Sequence, residues 1–314
     1  MTFEDFVKAH GFYAKIFEPG KWHRCPTANH PHKKNGCYKM SIDNSVGWLK
    51  DWTSPGDLYI WKPDNQISKK PVDQSAIRKH TENERRKEIH ATLAAREYYK
   101  NSDPLKFSHP YLEKKGLSII GCNRVRVDKY GNMVVPMTFA GKILSIQRIK
   151  PDGTKLFWKN AVTSRTFFLI ERKNPVITIL AEGLATGLTI FQAVHNSQVY
   201  VCFSASNMSK VAADIERHGF GCIASDNDHV TAQRIGVNPG LTCAKKAAEI
   251  LGIGISVPEC NGTDWNDFFI ERIAELTAQQ KLEKKQKNYQ QLQQIVNFEI
   301  KNHIHKNMVM MQNR

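Results

Sequence analysis

Three short stretches of this 314-residue chain end apolar runs on carboxylates. "VITILAEG" delivers Glu182 and then Gly183, "GCIASDND" delivers Asp226 and Asp228, and "DWND" supplies Asp264 and Asp267. Residues i and i+2 of extended chain point the same way, so Asp226 and Asp228 can face one cation. A hard ion such as Mg²⁺, or Mn²⁺ in its place, takes just such a sparse carboxylate set, keeping waters and borrowing phosphate oxygens from a substrate. Without a cation the clustered acids would push one another's pKa values upward. The expected metal ligands are Asp226, Asp228 and Asp264, with Glu182 outside the tightest shell as a general base or acid. Gly183 is expected to make a sharp turn from strand to helix. Any one acid at a strand end is more often a helix cap, and Asp267 reads equally well as one. Three such acids on successive loops are harder to assign to capping.

The elements that must position these acids follow from the hydrophobic pattern. "VITILA", "VYVCFS", "GCIAS" and "GISVPE" are short apolar runs alternating with helical patterns that begin near Leu184, Asn207 and Leu241. Strands alternating with helices imply βαβ units and a mostly parallel, Rossmann-like sheet. Ligands gather outside the carboxyl ends of such strands, which is where the acids fall. Upstream, "RVRVDKYGNMVVPMTFAGKILSIQRIKPDGTKLFW" has period-two runs separated by turn residues and reads as an antiparallel meander. The fold class is therefore α+β. Residues 1–63, rich in aromatics and short turns, read as a small β-rich module; residues 64–103 read as a helical linker. Residues 104–174 form the meander subdomain, 175–270 the α/β domain, and 271–314 a helical or partly disordered tail rich in Gln, Lys and Glu.

Forty-five Lys and Arg against thirty acids leave a formal charge of +15, a surplus that points to nucleic acid. Between Lys114 and Lys173 the excess of cations over acids is ten. Arg124, Arg126, Arg148, Lys150, Lys155 and Lys159 are the candidates to lie along phosphates. No run is long enough to span a membrane and the N-terminus lacks a signal-peptide core, so a cytoplasmic protein without a membrane partner is expected. Seven cysteines scattered from Cys25 to Cys260 fit a reducing compartment. "HRCPTANHPHKKNGCYKM" holds Cys25, His30, His32 and Cys37, four groups able to ligate Zn²⁺. A structural zinc site normally draws paired knuckles from two separated turns, and no second pair follows. The alternative is a β-hairpin whose aromatics make a mini-core. Trp and Tyr near Arg24, Lys33, Lys34 and Lys39 offer either base stacking or that core.

Glu-Gly after one strand and Asp-x-Asp after a later one resemble the Toprim domain of primases, topoisomerases and some nucleases. "AEGLATGLT", "FSASNM", "IASDND" and "DWNDFF" are most similar to the variant in primases of conjugative plasmids and bacteriophages. "HPYLEKKGL", "GNMVVPM", "ILSIQRIKPDGTKLFW" and "FFLIE" resemble the region that precedes Toprim in those primases, so the likeness runs over about residues 104 to 270. It implies that Glu182 is the acid/base glutamate, that Asp226 and Asp228 are the metal pair and that Asp264 is the later acidic position. It also implies that Arg148 and Lys155, and more loosely Lys159 and Asn160, are basic residues of the catalytic core.

The expected function is a DNA primase, a nucleotidyltransferase that makes short RNA primers on single-stranded DNA from nucleoside triphosphates. No P-loop occurs in the sequence, so the replicative helicase is expected to be a separate partner. The alternatives are a Toprim nuclease using the same carboxylates to activate water, and a non-catalytic single-stranded-DNA-binding replication adaptor.

Overall fold

The computed structural model describes residues 1–15, 17–53, 58–63, 74–216, 219–229, 232–233, 238–259, 263–283 and 287–310. Part of the expected linker, Cys260 and the last four residues of the tail lie outside the described residues. Contacts divide the chain into Met1–Lys87 and Glu88–Arg314. The division falls inside one long helix, α2 (Gln74–Lys100).

The first unit pairs helix α1 (Phe3–Ala9) with a four-stranded antiparallel sheet, β1 (His23–Cys25), β2 (Gly36–Met40), β3 (Gly47–Asp51) and β4 (Leu58–Trp61), in sequence order. Thr2 and Asp5 close a capping box that starts α1. Phe3 and Val7 from that helix bury against Phe12, Cys25, Tyr38, Leu49 and Trp61. Tyr38 and Trp61 are thus core residues, while Trp22 and Trp52 are exposed. The Lys50 ammonium lies 4.4 Å from the centre of the Trp52 ring.

The second unit holds two sheets. The basic stretch forms a five-stranded antiparallel sheet, ordered β5 (Asp103–Pro104), β6 (Arg126–Val127), β7 (Met133–Phe139), β8 (Lys142–Ile149), β9 (Lys155–Phe157). A short helix, α3 (Pro110–Lys114), precedes β6. The C-terminal part of α2 lies on this sheet: Ala95 buries with Val134 and Ile146, and Arg96 and Thr92 donate to the carbonyls of Ile143 and Leu144.

The other sheet runs β10 (Phe168–Glu171), β12 (Ser197–Val201), β11 (Ile177–Ala181), β13 (Phe220–Ala224), β14 (Gly254–Ser256). Strands β11 to β14 are mutually parallel; β10 and the short β15 (Val309–Met310) join antiparallel. Alternating residues of the parallel strands bury on opposite faces, as period two requires. Ile179, Val199 and Cys222 face α4 (Leu184–Ala193), whereas Leu180, Tyr200 and Ile223 face α5 (Ala205–Ala212) and α6 (Pro239–Leu251). Gly187 lets α4 lie close on the sheet, since a Cβ there would come within 2.5 Å of Val201.

The C-terminal segment is helical, one of the two forms expected of it, and its helices are packed on the domain. Helices α7 (Trp265–Glu283) and α8 (Tyr289–Lys306) cover α4. Leu292, Val296, Ile300 and Ile304, spaced four apart on one face of α8, are all buried. The Gln and Lys residues that gave the segment its polar composition occupy the other faces. Among the described residues no helix is long and apolar enough to cross a membrane.

Candidate active site at the carboxyl edge of the parallel sheet

Strand β11 lies between β12 and β13, and the helices that follow β11 and β12 pack on opposite faces of the sheet. That reversal opens a crevice outside the carboxyl ends of β11 and β13, the position at which open α/β sheets bind ligands. Parallel register pairs Ala181 with Ala224, so Glu182 emerges beside Ser225, one residue before Asp226. The Asn227 N–H donates to the Thr263 carbonyl, tying the loop after β13 to the loop that carries Asp264. The four acids of the sequence reading therefore meet at one sheet edge.

Their electrostatics are those of crowded carboxylates. Burial, and next the charge of Asp228, raises the pKa of Glu182, while an Ala205 N–H at the start of α5 and Lys155 act against the rise. Asp226 is pushed up to about 8, by burial first and then by Glu182, Asp264 and Asp228. Its Oδ1 is buried without a hydrogen-bond partner. Asp228 accepts the Gly240 N–H at Oδ2, 2.9 Å away, at the start of α6. The positive end of that helix suits a carboxylate. Asp264 has one oxygen committed to capping α7, accepting from the Asn266 and Asp267 N–H groups at 2.8 and 2.9 Å. Asp267 accepts from the Thr263 N–H and pairs with Lys115 at 3.6 Å.

Lys155 supplies the positive charge. It sits on the exposed strand β9, and its Nζ lies 3.8 Å from where a Cβ on Gly183 would stand. The residue as a whole is exposed, but its ammonium end is drawn among the acids, where burial lowers its pKa and the charges of Asp264, Asp226 and Glu182 oppose that fall.

Among the described residues no three His, Cys, Asp or Glu side chains stand together as a ready-made metal cage. The donor set nevertheless fits a hard divalent cation of the Mg²⁺ type, which needs only one or two carboxylates and fills its remaining positions with water and phosphate oxygens. The unpartnered Asp226 oxygen, on a carboxyl whose pKa is raised first by burial and then by the neighbouring acids, is the feature such an ion would satisfy.

The remaining candidates divide. Lys150 and Lys159 are exposed, as is Arg124. Arg126 turns inward, donating to the carbonyls of Lys100 and Ser102 and lying over the Tyr99 ring. Arg148 is flanked by the rings of Tyr98 and Trp158, with its Nε buried and unpartnered. Cys25, His30, His32 and Cys37, the candidate zinc ligands of the sequence, do not form a group of three or more ligands among the described residues. Both thiols are buried, Cys25 in the core of the first unit, where burial pushes its pKa up to about 11, and His32 is exposed. With their pKa values raised by burial, these thiols when unligated hold protons and pack as small apolar residues.

Gly183 also differs from expectation. Its φ of −106° is open to any residue, and a Cβ there would make only ordinary contacts, so the turn itself does not demand glycine. The glycine the site requires is Gly240, where a Cβ would stand 2.8 Å from the Asp226 carbonyl oxygen and 3.0 Å from Asp228 Oδ2. The signal was present in "NPGLT", a Pro-Gly pair opening a helix, but its contact is with a loop twelve residues back. Lys115 was missed because only the fold brings it beside Asp267.

Residues 177–275 match the Toprim domain family. Two curated proteins from Escherichia coli, both described as DNA primase TraC, are similar to this chain. One is 28% identical over 252 residues, covering 74% of this chain and 23% of its own length. The other is 26% identical over 220 residues, covering 67% of this chain and 15% of its own. The chain thus spans less than a quarter of the length of these relatives. Among solved structures, the primase fragment of the bacteriophage T7 primase-helicase protein overlaps at a TM-score of 0.36 and 16% identity, over 56% of this chain and 70% of that one.

Proposed function

We infer that this chain, a Toprim-domain protein of the plasmid and phage primase type, is a DNA primase that joins ribonucleotides on single-stranded DNA. The observation that carries the reading is the convergence of Glu182, Asp226, Asp228 and Lys155 at the carboxyl edge of the parallel sheet. Asp226 and Asp228 are the residues to hold Mg²⁺ or Mn²⁺. Such an ion, when bound, polarises a phosphoryl oxygen and relieves the mutual repulsion of the acids.

The chain's own groups account for the rest. Glu182, its pKa raised by burial, takes the proton of the attacking 3′-hydroxyl; a base whose pKa is shifted toward neutrality is suited to that transfer. The hydroxyl oxygen bonds to the α-phosphorus of the next nucleotide and the bond to pyrophosphate breaks. Lys155 places its ammonium where charge builds on the phosphates. The exposed Arg124, Lys150 and Lys159 neutralise backbone phosphates, so binding should weaken steeply with salt. Single-stranded DNA and nucleoside triphosphates are the ligands of this reading, a separate helicase its partner, and the bacterial cytoplasm its setting.

The test is primer synthesis on single-stranded templates with labelled ribonucleotides and Mg²⁺ or Mn²⁺. Oligoribonucleotides and pyrophosphate from the unaltered chain, absent from Glu182→Gln and Asp226→Asn, are expected. Cleaved DNA instead would make the protein a nuclease, and tight DNA binding without incorporation would make it an adaptor.

A further inference from the structure

Strand β9 carries Lys155 to the acidic site. Lys155 and Phe157 are two apart and share a face, while Trp158 turns to the other side and packs on Tyr98. Phe157 belongs to no core cluster and is 45% exposed. Among the described residues its one aromatic neighbour is Phe203, edge to face with ring centroids 6.4 Å apart. Phe203 stands two residues before Ala205, whose N–H reaches Glu182. It also holds a left-handed backbone, φ +66°, a conformation that a bulky residue adopts only under constraint from its surroundings. A solvent-facing phenylalanine, braced by a strained one at the lip of a charged crevice, has no role in stabilising the fold that the contacts reveal.

We propose that Phe157, supported by Phe203, is the platform on which the base of the incoming nucleoside triphosphate stacks. The assignment rests on the primase reading of the same site and names a residue that reading leaves out. A strand rises about 3.3 Å per residue, so Phe157 lies about 7 Å along the chain from Lys155. That separation matches a nucleotide whose phosphates meet the Lys155 ammonium and whose base extends along β9. The chemistry is complementary at both ends: a cation among carboxylates for the metal-bound triphosphate, and an open aromatic face for the base. Every base has a π-face, so such a platform serves all four nucleotides alike and leaves the choice of base to template pairing.

The test uses the whole chain and equilibrium binding of labelled ATP and CTP with Mg²⁺, with tripolyphosphate and a single-stranded oligodeoxynucleotide as separate probes. Removing a stacked base contact is worth about 1–3 kcal/mol, or about five- to 150-fold in affinity. Phe157→Ala should weaken both nucleotides by a factor in that range and leave tripolyphosphate unchanged, whereas Phe157→Trp should restore nucleotide binding and Phe157→Leu should not. In turnover the same loss should appear as a raised KM with little change in kcat. Unchanged nucleotide affinity in Phe157→Ala overturns the proposal. So does an equal loss of nucleotide and tripolyphosphate, which would make the ring a structural support, or a loss confined to the oligodeoxynucleotide, which would make it a template contact. Because binding is read without turnover, the platform stands or falls separately from primer synthesis: a chain that binds as described yet makes no primers sinks the primase reading alone.

Discussion

Two regions of this molecule gather four potential metal ligands apiece, and folding treats them in opposite ways. In the first unit Cys25 and Cys37 sink into a small β-sheet with their thiols protonated, and His32 stays outside. At the edge of the parallel sheet Glu182, Asp226, Asp228 and Asp264 are held half-buried, close enough that the charges of the others help to raise the pKa values of Glu182 and Asp226. A thiol at neutral pH sheds no charge when it is buried, so the core can absorb it as a small hydrophobe. A carboxylate must either keep water, find a cation or take up a proton, and the raised pKa of Asp226 records that conflict. Ligand-type residues in proximity therefore identify a site only where burial leaves their charge unresolved.

The sharpest way to break this contrast is to remove that charge. Asp226→Asn and Glu182→Gln should each lower nucleotide incorporation by about 100-fold or more, the usual contribution of an acid–base or charge-stabilising group. Asp226→Asn should at the same time raise the melting temperature of the metal-free protein at pH 8. Retained activity, or a metal-free variant less stable than the parent, would place the unresolved charge elsewhere.

A second prediction follows from the sign of the same shift. Asp226 has its folded pKa raised from 3.8 to about 8, so its contribution to stability is present below the unfolded value and is lost as pH rises toward the folded one. Thermal melts of the metal-free chain should fall between about pH 4 and pH 8 and then level off with respect to this group. Mg²⁺ should recover stability mainly at the upper end, because the ion binds the deprotonated carboxylate. Asp226→Asn should flatten both trends; an unaltered pH slope in that variant would show that another group is responsible.

How much of this was legible in the sequence depends on which physics decided each feature. The acids were legible because an apolar run ending on a carboxylate reports both a strand and its end, and the parallel register then aligns Glu182 with the start of the Asp226 loop. The burial of α8 was written as Leu292, Val296, Ile300 and Ile304 at four-residue spacing, but the Gln and Lys between them dominated the composition. The inward turn of Arg126 and Arg148 was not legible, since whether a strand's cation meets solvent or a ring depends on what covers that face. Gly183 and Gly240 exchange importance for a related reason: "NPGLT" marks a helix start locally, but not the close approach to a loop twelve residues back that makes Gly240 matter.

That exchange gives a third, smaller effect. Gly240→Ala places a methyl against the Asp226 carbonyl and Asp228, and overpacking of this kind costs about 1–3 kcal/mol. Gly183→Ala, whose new methyl meets only ordinary contacts, should be nearly neutral for stability. Urea denaturation of the two variants checks the ordering, and equal losses would return the turn at Gly183 to the importance its sequence suggested.

The smallest effect tests the other half of the contrast. If Cys25 and Cys37 are core residues and not ligands, the first unit should be indifferent to chelators. His32→Ala, at an exposed position, should change stability by no more than about 0.5 kcal/mol. Cys25→Ala should cost more than His32→Ala, because it removes a buried side chain packed among Phe3, Val7 and Leu49. A shared zinc ion would reverse this pattern: both variants would lose the ion, and both losses would be mimicked by a chelator. Zinc content by mass spectrometry, with melts of the two variants before and after chelation, separates the cases. Burial, and not a bound metal, predicts one substitution that matters and one that does not.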